Sequence, residues 1–77
     1  MNNKTTSYVL KRIYVLGRKI AEFRKKEGLS QNSFADILGI SREHLAKIET
    51  AKRSVSLDLL INIADRLNIK VKDLIDF

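Results

Sequence analysis

The side chains whose types suit chemistry are grouped in one short polar segment that contains Arg42, Glu43, His44 and Lys47. An arginine can donate two hydrogen bonds to a guanine, and a glutamate can accept one from the amino group of a cytosine. Glu43 could instead orient Arg42, and His44 and Lys47 could each reach a base or a phosphate. These residue types predict contact with the edges of DNA bases, and the alternative is a solvated helix face.

Other kinds of chemistry find little support in the composition. His44 is the only histidine and there is no cysteine, so the chain lacks the residues for a disulfide framework or a thiolate metal site. No glycine-rich loop could hold a phosphate group, and carboxylates such as that of Asp36 have no evident partner. We therefore expect no catalytic residue, no metal, no cofactor and no small-molecule ligand.

The charge is unevenly distributed along the chain. The formal net charge is +6, and residues 1–28 contain eight Lys or Arg residues against two Glu. Residues 29–53 contain four basic and three acidic residues, and residues 54–77 contain three basic and four acidic ones. Such an excess favours a polyanion such as double-stranded DNA, although a solvated surface has the same composition. The residues that could flank a binding site, spread around a helix, are Lys4, Lys11, Arg12, Arg18, Lys19, Lys25 and Lys26.

Helices are expected to position these side chains, because the composition favours them, although the part before Gly17 is rich in Val, Ile and Tyr and could be a strand or a loose arm. The 77 residues include no proline and only three glycines, and Leu, Ile, Lys, Arg and Ala are common. We expect one all-α domain over residues 1–77, in which residues 1–15 extend the first helix. No apolar run approaches the roughly 20 residues that cross a bilayer, and no signal core follows the N-terminus. The expected location is therefore cytoplasmic, without membrane contact.

The spacing of apolar residues predicts five helices, over residues 8–26, 31–38, 42–50, 57–67 and 71–76. Ser30, Ser41 and Ser56 stand at the N-cap positions of the middle three. Gly28 and Asn68 suit the left-handed conformation that ends a helix. The residues expected to face the core from the second and fourth helices are Phe34, Ala35, Ile37, Leu38, Leu57, Leu60, Ile61, Ala64 and Leu67.

The segment from Gln31 to Thr50 has the features of a helix-turn-helix. Two helices of about eight residues are joined by a tight turn, and Gly39 supplies the residue that tolerates a positive φ angle. Ala35 is small where the helices must cross. An ordinary pair of packed helices without a nucleic-acid role is the alternative.

Several phrases in and around this segment resemble the Cro/repressor (XRE) helix-turn-helix family. The resemblance covers about residues 16–77 and implies a five-helix fold, here with an extended first helix, that binds DNA, usually as a two-fold dimer. Ala51 departs from a frequent Gly, Val55 from a common Pro, and Lys70 from the Ser or Thr that usually caps the last helix. The matching phrases are Leu16-Gly17-Arg18-Lys19-Ile20, Arg24-Lys25-Lys26-Glu27-Gly28-Leu29-Ser30-Gln31, Leu38-Gly39-Ile40-Ser41, Lys47-Ile48-Glu49 and Ser56-Leu57-Asp58-Leu59-Leu60-Ile61-Asn62-Ile63-Ala64.

The resemblance also implies roles for residues outside the reading segment. Gln31 and the free N–H groups beside it would bind a phosphate, which a helix N-terminus favours. Lys52 and Arg53, after the third helix, would contact phosphates unless they are merely solvated. Arg24 and Glu49 would form an internal ion pair, and the alternative is two exposed charges. The dimer would pair through Ile69, Val71, Ile75 and Phe77, with Tyr8, Val9 and Tyr14 of the N-terminal extension as the alternative.

These patterns predict a stand-alone transcription regulator, a repressor that binds a partly palindromic operator as a homodimer. The alternative from another class is a protein-interaction adaptor that uses the same fold without reading bases. Among regulators, a phage-type repressor, a restriction-modification controller and an antitoxin fit the sequence equally well.

Overall fold

Four α-helices and one 3-10 turn make up the described part of the chain. The computed structural model describes the backbone of residues 3–75 and the side chains of residues 7–75. The helices are α1 (Asn3–Lys26), α2 (Gln31–Leu38), α3 (Arg42–Glu49) and α4 (Leu57–Arg66), and the turn spans Val71–Asp73. Residues 3–75 contain no β-strand, which confirms the all-α prediction. None of their helices combines the length and the apolarity that crossing a bilayer requires.

The C-terminal element is shorter than the predicted helix over residues 71–76. It is a 3-10 turn, in which the N–H of Leu74 donates to the carbonyl of Val71 at 2.9 Å. Lys70 has no hydroxyl group to cap a helix, and the carboxylate of Asp73 accepts from the Lys70 N–H at 2.9 Å instead. Because Leu74 is fully buried in the core, one turn is enough to anchor this segment. Asp76 lies outside the described residues.

Three serines start the middle helices, as their positions predict. The hydroxyl oxygens of Ser30, Ser41 and Ser56 accept from the backbone N–H three residues later, at 3.0, 3.0 and 3.4 Å. Each bond satisfies a donor that has no partner inside the helix. The start of α2 and of α3 is thereby determined by residues next to each helix in sequence.

Asp58 reinforces the start of α4. Hydrogen bonds from the Ser56 hydroxyl and the Leu59 N–H hold the pKa of the Asp58 carboxyl below its usual 3.8, and the Leu59 bond is 3.0 Å long. The carboxylate is therefore charged at neutral pH, where it complements the positive end of the helix dipole.

Four residues adopt the left-handed conformation where helices end. Gly28 and Gly39 have φ angles of +72° and +75°, and Asn68 has +57°, as predicted for each. Ala51, which directly follows α3, has a φ of +60°. A residue with a Cβ atom loses on the order of 1–2 kcal/mol in this conformation, so Ala51 stores strain that a glycine would avoid.

We therefore expect Ala51→Gly to raise the free energy of unfolding by about 1 kcal/mol, since relief of strain exceeds the added entropy of the unfolded chain. For a domain of this size the melting temperature would rise by roughly 4–8 °C. Ala46→Gly, within α3, is the matched control and should cost about 1 kcal/mol through lost helix propensity. Melting curves that shift downward for both variants would contradict the strain at Ala51.

The core is built by the C-terminal half of α1 together with α2, α3, α4 and the 3-10 turn. The side chains that are fully buried at its centre are Ile20, Phe34, Leu45, Ile63 and Leu74. On α4 the buried face runs through Leu60, Ile63, Ala64 and Leu67, a helical spacing of three and four residues. These contacts hold α1, α2 and α4 together against the buried side of α3.

Three residues predicted to face the core are exposed instead. Leu57 is 71% exposed, Ile61 45% and Ile37 43%. Leu60, Ala64 and Leu67 are buried as predicted, but the prediction included Leu57 and Ile61 and missed Ile63. The reason is that Leu, Ile and Ala occur on both sides of that helix. Leu57 and Ile61, one turn apart, therefore form an apolar surface that the monomer does not use.

Candidate nucleic-acid interface

The turn between α2 and α3 has a defined geometry. The N–H groups of Gly39 and Ile40 donate to the carbonyls of Asp36 and Ala35 at 3.2 and 3.0 Å, closing the end of α2. Ala35 is 1% exposed and lies in the core that α2 and α3 share. The angle between the two helices is thus determined by backbone hydrogen bonds and by packing on a small residue.

The two sides of α3 have opposite properties. Leu45 and Ile48 are buried, whereas Arg42, Glu43 and Lys47 are exposed. Within residues 7–75 these three polar side chains form no hydrogen bond or ion pair, so Glu43 does not orient Arg42 in this structure. The exposed face is therefore open to an external partner with hydrogen-bonding groups.

His44 occupies a different environment from the other three predicted reading residues. It is half-buried, and its backbone N–H is the group that donates to the Ser41 hydroxyl oxygen. Its position beside the buried side of α3 limits the part of the ring that a partner could contact.

Lys52 and Arg53 are exposed in the turn directly after α3. The N–H of Lys52 donates to the carbonyl of Lys47 at 2.8 Å, and the N–H of Ala51 donates to that of Ile48 at 3.2 Å. These bonds cap the C-terminal end of α3 and place two cations beside it.

A buried ion pair joins α1 to α3. The Nε atom of Arg24 lies 2.7 Å from Oε2 of Glu49, and its Nη2 atom lies 3.0 Å from Oε1. Nη1 donates to the carbonyl of Leu29 at 2.7 Å. Both residues are 7% exposed, and no buried side-chain nitrogen or oxygen among the described residues lacks a hydrogen bond. The ion pair was predicted from the sequence, whereas the hydrogen bond from Arg24 to the Leu29 carbonyl was not.

Gln31 connects the start of α2 to the same ion pair. Its Nε2 atom donates to Oε1 of Glu49 at 2.9 Å. An amide nitrogen has two hydrogens, so one remains for another acceptor, together with the backbone N–H at the helix start. Gln31 therefore keeps donors for an anion while its side chain is held in one orientation.

Gly17 allows α1 to pass directly over the end of α3, which the sequence did not indicate. A Cβ atom at this position would lie 2.5 Å from the carbonyl oxygen of Ile48 and 2.9 Å from that of Glu49. Real Cβ atoms essentially never approach backbone oxygens so closely. The glycine thus determines the distance between the first helix and the helix with the exposed polar face.

An open cavity lies between α1 and the ends of α2 and α3. It is bordered by Gln31 of α2, by Thr50 and by five residues of α1, which are Tyr14, Arg18, Ala21, Glu22 and Lys25. The Arg24–Glu49 pair also borders it. Two exposed cations, the exposed carboxylate of Glu22 and the donors of Gln31 thus surround one concave surface. No linear motif could reveal it, because its residues are far apart in sequence.

The predicted dimer residues are not equally available. Ile69 and Val71 are half-buried against the core, Ile75 is 41% exposed, and Phe77 lies outside the described residues. In the alternative N-terminal set, Tyr8, Val9 and Tyr14 are all exposed. Apolar surface is therefore available at both ends of the chain.

Comparison with known proteins finds a family model, curated relatives and a solved structure that match most of the chain. A family model described as helix-turn-helix matches residues 20–74. YazB of Bacillus subtilis, described as an uncharacterized HTH-type transcriptional regulator, is 42% identical over 60 residues, covering 78% of this chain and 87% of YazB. Antitoxin PezA of Streptococcus pneumoniae is 36% identical over 61 residues, covering 79% of this chain and 39% of PezA.

The fold is similar to that of a solved controller protein. The crystal structure of the restriction-modification controller protein C.AhdI from Aeromonas hydrophila superposes with a TM-score of 0.77 at 31% identity. The superposition covers 80% of this chain and 94% of C.AhdI.

Proposed function

Because the chain belongs to the Cro/C1-type helix-turn-helix family of DNA-binding transcription regulators, we propose that it is a repressor that binds a partly palindromic operator as a homodimer. The family consists of transcription regulators, not enzymes. Repression requires only that the protein occupy its operator, whereas activation requires a further contact with the transcription machinery.

The observation that carries the proposal is the exposed face of α3. Arg42, Glu43 and Lys47 lie on one side of a helix whose other side is locked into the core, and no described residue engages them. A helix of this kind fits the major groove, where its N-terminal residues contact base edges. Arg42, in its first turn, is suited to a guanine, while Glu43 and Lys47 extend the contact along the groove.

Phosphate contacts would orient the helix in the groove. Gln31 offers an amide hydrogen and a helix N-terminus, which favours anions. Lys52 and Arg53 offer two exposed cations at the other end of the helix-turn-helix. Contacts of this kind fix the register of a protein on DNA but do not read the sequence. An adaptor without base readout would need neither group.

Replacing a reading residue and a phosphate-binding residue should have different effects. Arg42→Ala is expected to cost about 1–3 kcal/mol per half-site and to relax the preference at one base pair. Lys52→Ala should weaken binding to every sequence alike. Both effects on affinity are measured by fluorescence anisotropy. The DNA is a binding site from the region upstream of the protein's own gene, together with its single-base variants. A reporter behind that region should be repressed by the wild type and released by Arg42→Ala.

If Arg42→Ala and Lys52→Ala both lowered the affinity equally for all single-base variants of the site, Arg42 would be excluded as a base-reading residue. A wild-type protein that binds no duplex from that region more tightly than arbitrary DNA would favour the adaptor and refute the proposed function.

The homodimer follows from the small size of one reading helix. Each mismatched base pair costs only about 1–3 kcal/mol, so one helix selects too few positions to find a site in a genome. A two-fold pair doubles the site and spaces the reading helices by about 34 Å, one turn of DNA. We propose that the pair forms through Ile69, Val71, Ile75 and Phe77, of which Ile75 is exposed.

Sedimentation at micromolar protein concentration should therefore show a dimer that is lost when Ile75→Asp is combined with deletion of Phe77, since a charge would enter an apolar contact. Tyr14→Asp, in the N-terminal extension, is the control and should leave the dimer intact. The reverse pattern would move the interface to the extension, and a wild type that stays monomeric even on a palindromic site would end the dimer proposal.

A further inference from the structure

The N-terminal half of α1 extends beyond the part of the chain that the family match covers. The match begins at residue 20, whereas α1 begins at Asn3 and is 24 residues long, or about 36 Å at 1.5 Å per residue. The longest dimension of the molecule is 39 Å. No side chain of residues 7–15 is buried. This half of the helix therefore contributes little to the core and remains a surface with no assigned role.

Its charge has one sign only. Residues 1–21 contain five Lys or Arg residues and no Asp or Glu, and the first acidic residue of the chain is Glu22. The first turn of α1 also has no acidic residue, although the positive end of the helix dipole favours one there. Nearly the whole net charge of +6 thus resides in this segment, at some cost in helix stability.

Three cations of α1, two from residues 1–21 and one from beyond them, lie along one line of the helix. Lys11, Arg18 and Lys25 are seven residues apart, and seven residues are two turns less about 20°. All three are exposed. Arg12 and Lys19 point to another side, and the Arg12 guanidinium stacks over the ring of Tyr8 at 4.5 Å. We call Lys11, Arg18 and Lys25 the basic stripe.

The basic stripe is continuous with the proposed phosphate site. Arg18 and Lys25 border the cavity that Gln31 and Thr50 complete. From Lys25 to Lys11 the stripe is about 21 Å long, which equals the axial length of roughly six base pairs. It therefore begins beside the start of α2 and passes the C-terminal end of α3, which Gly17 contacts, before reaching Lys11.

We propose that the basic stripe binds the phosphate backbone of double-stranded DNA outside the base pairs that α3 reads. The inference rests on the proposed function and adds to it a second contact surface without base specificity. Exposed cations in a line with helical spacing complement a linear polyanion. No acidic residue occurs among residues 1–21, and Glu22 is the one carboxylate between Arg18 and Lys25 in the sequence. Each phosphate that the stripe neutralises releases counterions, so it should contribute to the salt dependence of binding.

The test compares two double variants of the full chain that each remove two exposed positive charges. Lys11→Gln with Arg18→Gln changes the stripe, and Lys26→Gln with Arg66→Gln is the control away from it. Affinity is measured against salt on a duplex cut at the ends of the operator and on one that extends about ten base pairs, one turn, further on each side. Circular dichroism melting verifies that both variants fold.

On the long duplex, a plot of the logarithm of the binding constant against the logarithm of salt concentration should be less steep for the stripe variant than for the wild type. The difference in slope should be about 1.8 per bound protomer, or 0.9 for each lost contact. The loss of affinity should be equal for all single-base variants of the operator. On the short duplex the stripe variant and the wild type should differ much less, and the control should match the wild type on both.

Three other results would overturn the inference. If the wild type binds its operator and the stripe variant has an unchanged slope on the long duplex, only the stripe assignment fails. If the wild type itself shows no salt-dependent duplex binding, the proposed function fails with it. If the stripe variant keeps its DNA slope but loses binding to phosphatidylserine-containing vesicles that the wild type retains, the stripe belongs to a lipid surface.

Discussion

Glu49→Ala is expected to lower the free energy of unfolding by about 3–5 kcal/mol, the loss typical of breaking one side of a buried ion pair. The substitution leaves the buried Arg24 guanidinium with only the Leu29 carbonyl as partner. It also removes the acceptor of the Gln31 amide. Because natural domains of this size are stable by only about 5–15 kcal/mol, a large fraction of the variant would be unfolded on mild heating.

Glu43→Ala is the matched control, since it removes the same side chain from the exposed face of the same helix. Its effect should remain within about 0.5 kcal/mol. Urea denaturation of both variants measures the difference. Replacing both partners, Arg24→Met with Glu49→Leu, should recover much of the loss because no unpaired charge remains. Equal stabilities for Glu49→Ala and Glu43→Ala would show that the ion pair contributes nothing.

Gly17→Ala should also destabilise the fold, by about 3 kcal/mol, at the upper end of the range for overpacking. Alanine is the better helix former by about 1 kcal/mol, so propensity alone predicts the opposite sign. The added Cβ atom would meet two backbone oxygens, those of Ile48 and Glu49, and neither can rotate away. Relief requires α1 to move away from α3, which stretches the Arg24–Glu49 hydrogen bonds as well.

Ala21→Gly, one turn further along α1, is the control for helix propensity and should cost about 1 kcal/mol. Thermal melting followed by circular dichroism compares the two variants. A Gly17→Ala protein that melts above the wild type would show that the helices can separate without loss, and would refute the close approach as a structural requirement.

Local features of the fold were predictable from the sequence because neighbouring residues determine them. The caps at Ser30, Ser41 and Ser56 and the left-handed turn at Gly39 depend on side chains or backbone within a few positions of the helix ends. The exposed face of α3 followed from the spacing of Leu45 and Ile48. Such short-range rules hold irrespective of how the helices pack.

Features that depend on packing were not predictable in the same way. The apolar surface of α4 is wider than its buried face. Whether Ile61 or Ile63 is buried therefore depends on how the helix is oriented against the core. The close contact at Gly17 and the bond from Gln31 to Glu49 join residues that are 18 or more positions apart. The C-terminal segment forms one turn instead of a helix, and this turn is enough to bury Leu74 in the core.

The absence of internal partners for Arg42, Glu43 and Lys47 within the described residues has a consequence for how this protein can change over time. Substitutions at exposed sites of this kind alter stability by no more than about 0.5 kcal/mol. The start of α3 is held by Ser41 and its inward side by Leu45 and Ile48, so the outward residues can be exchanged without refolding the scaffold. New target preferences are thus accessible by single steps, each tolerated on its own, and duplicated copies of such a gene can diverge in target while keeping the same architecture.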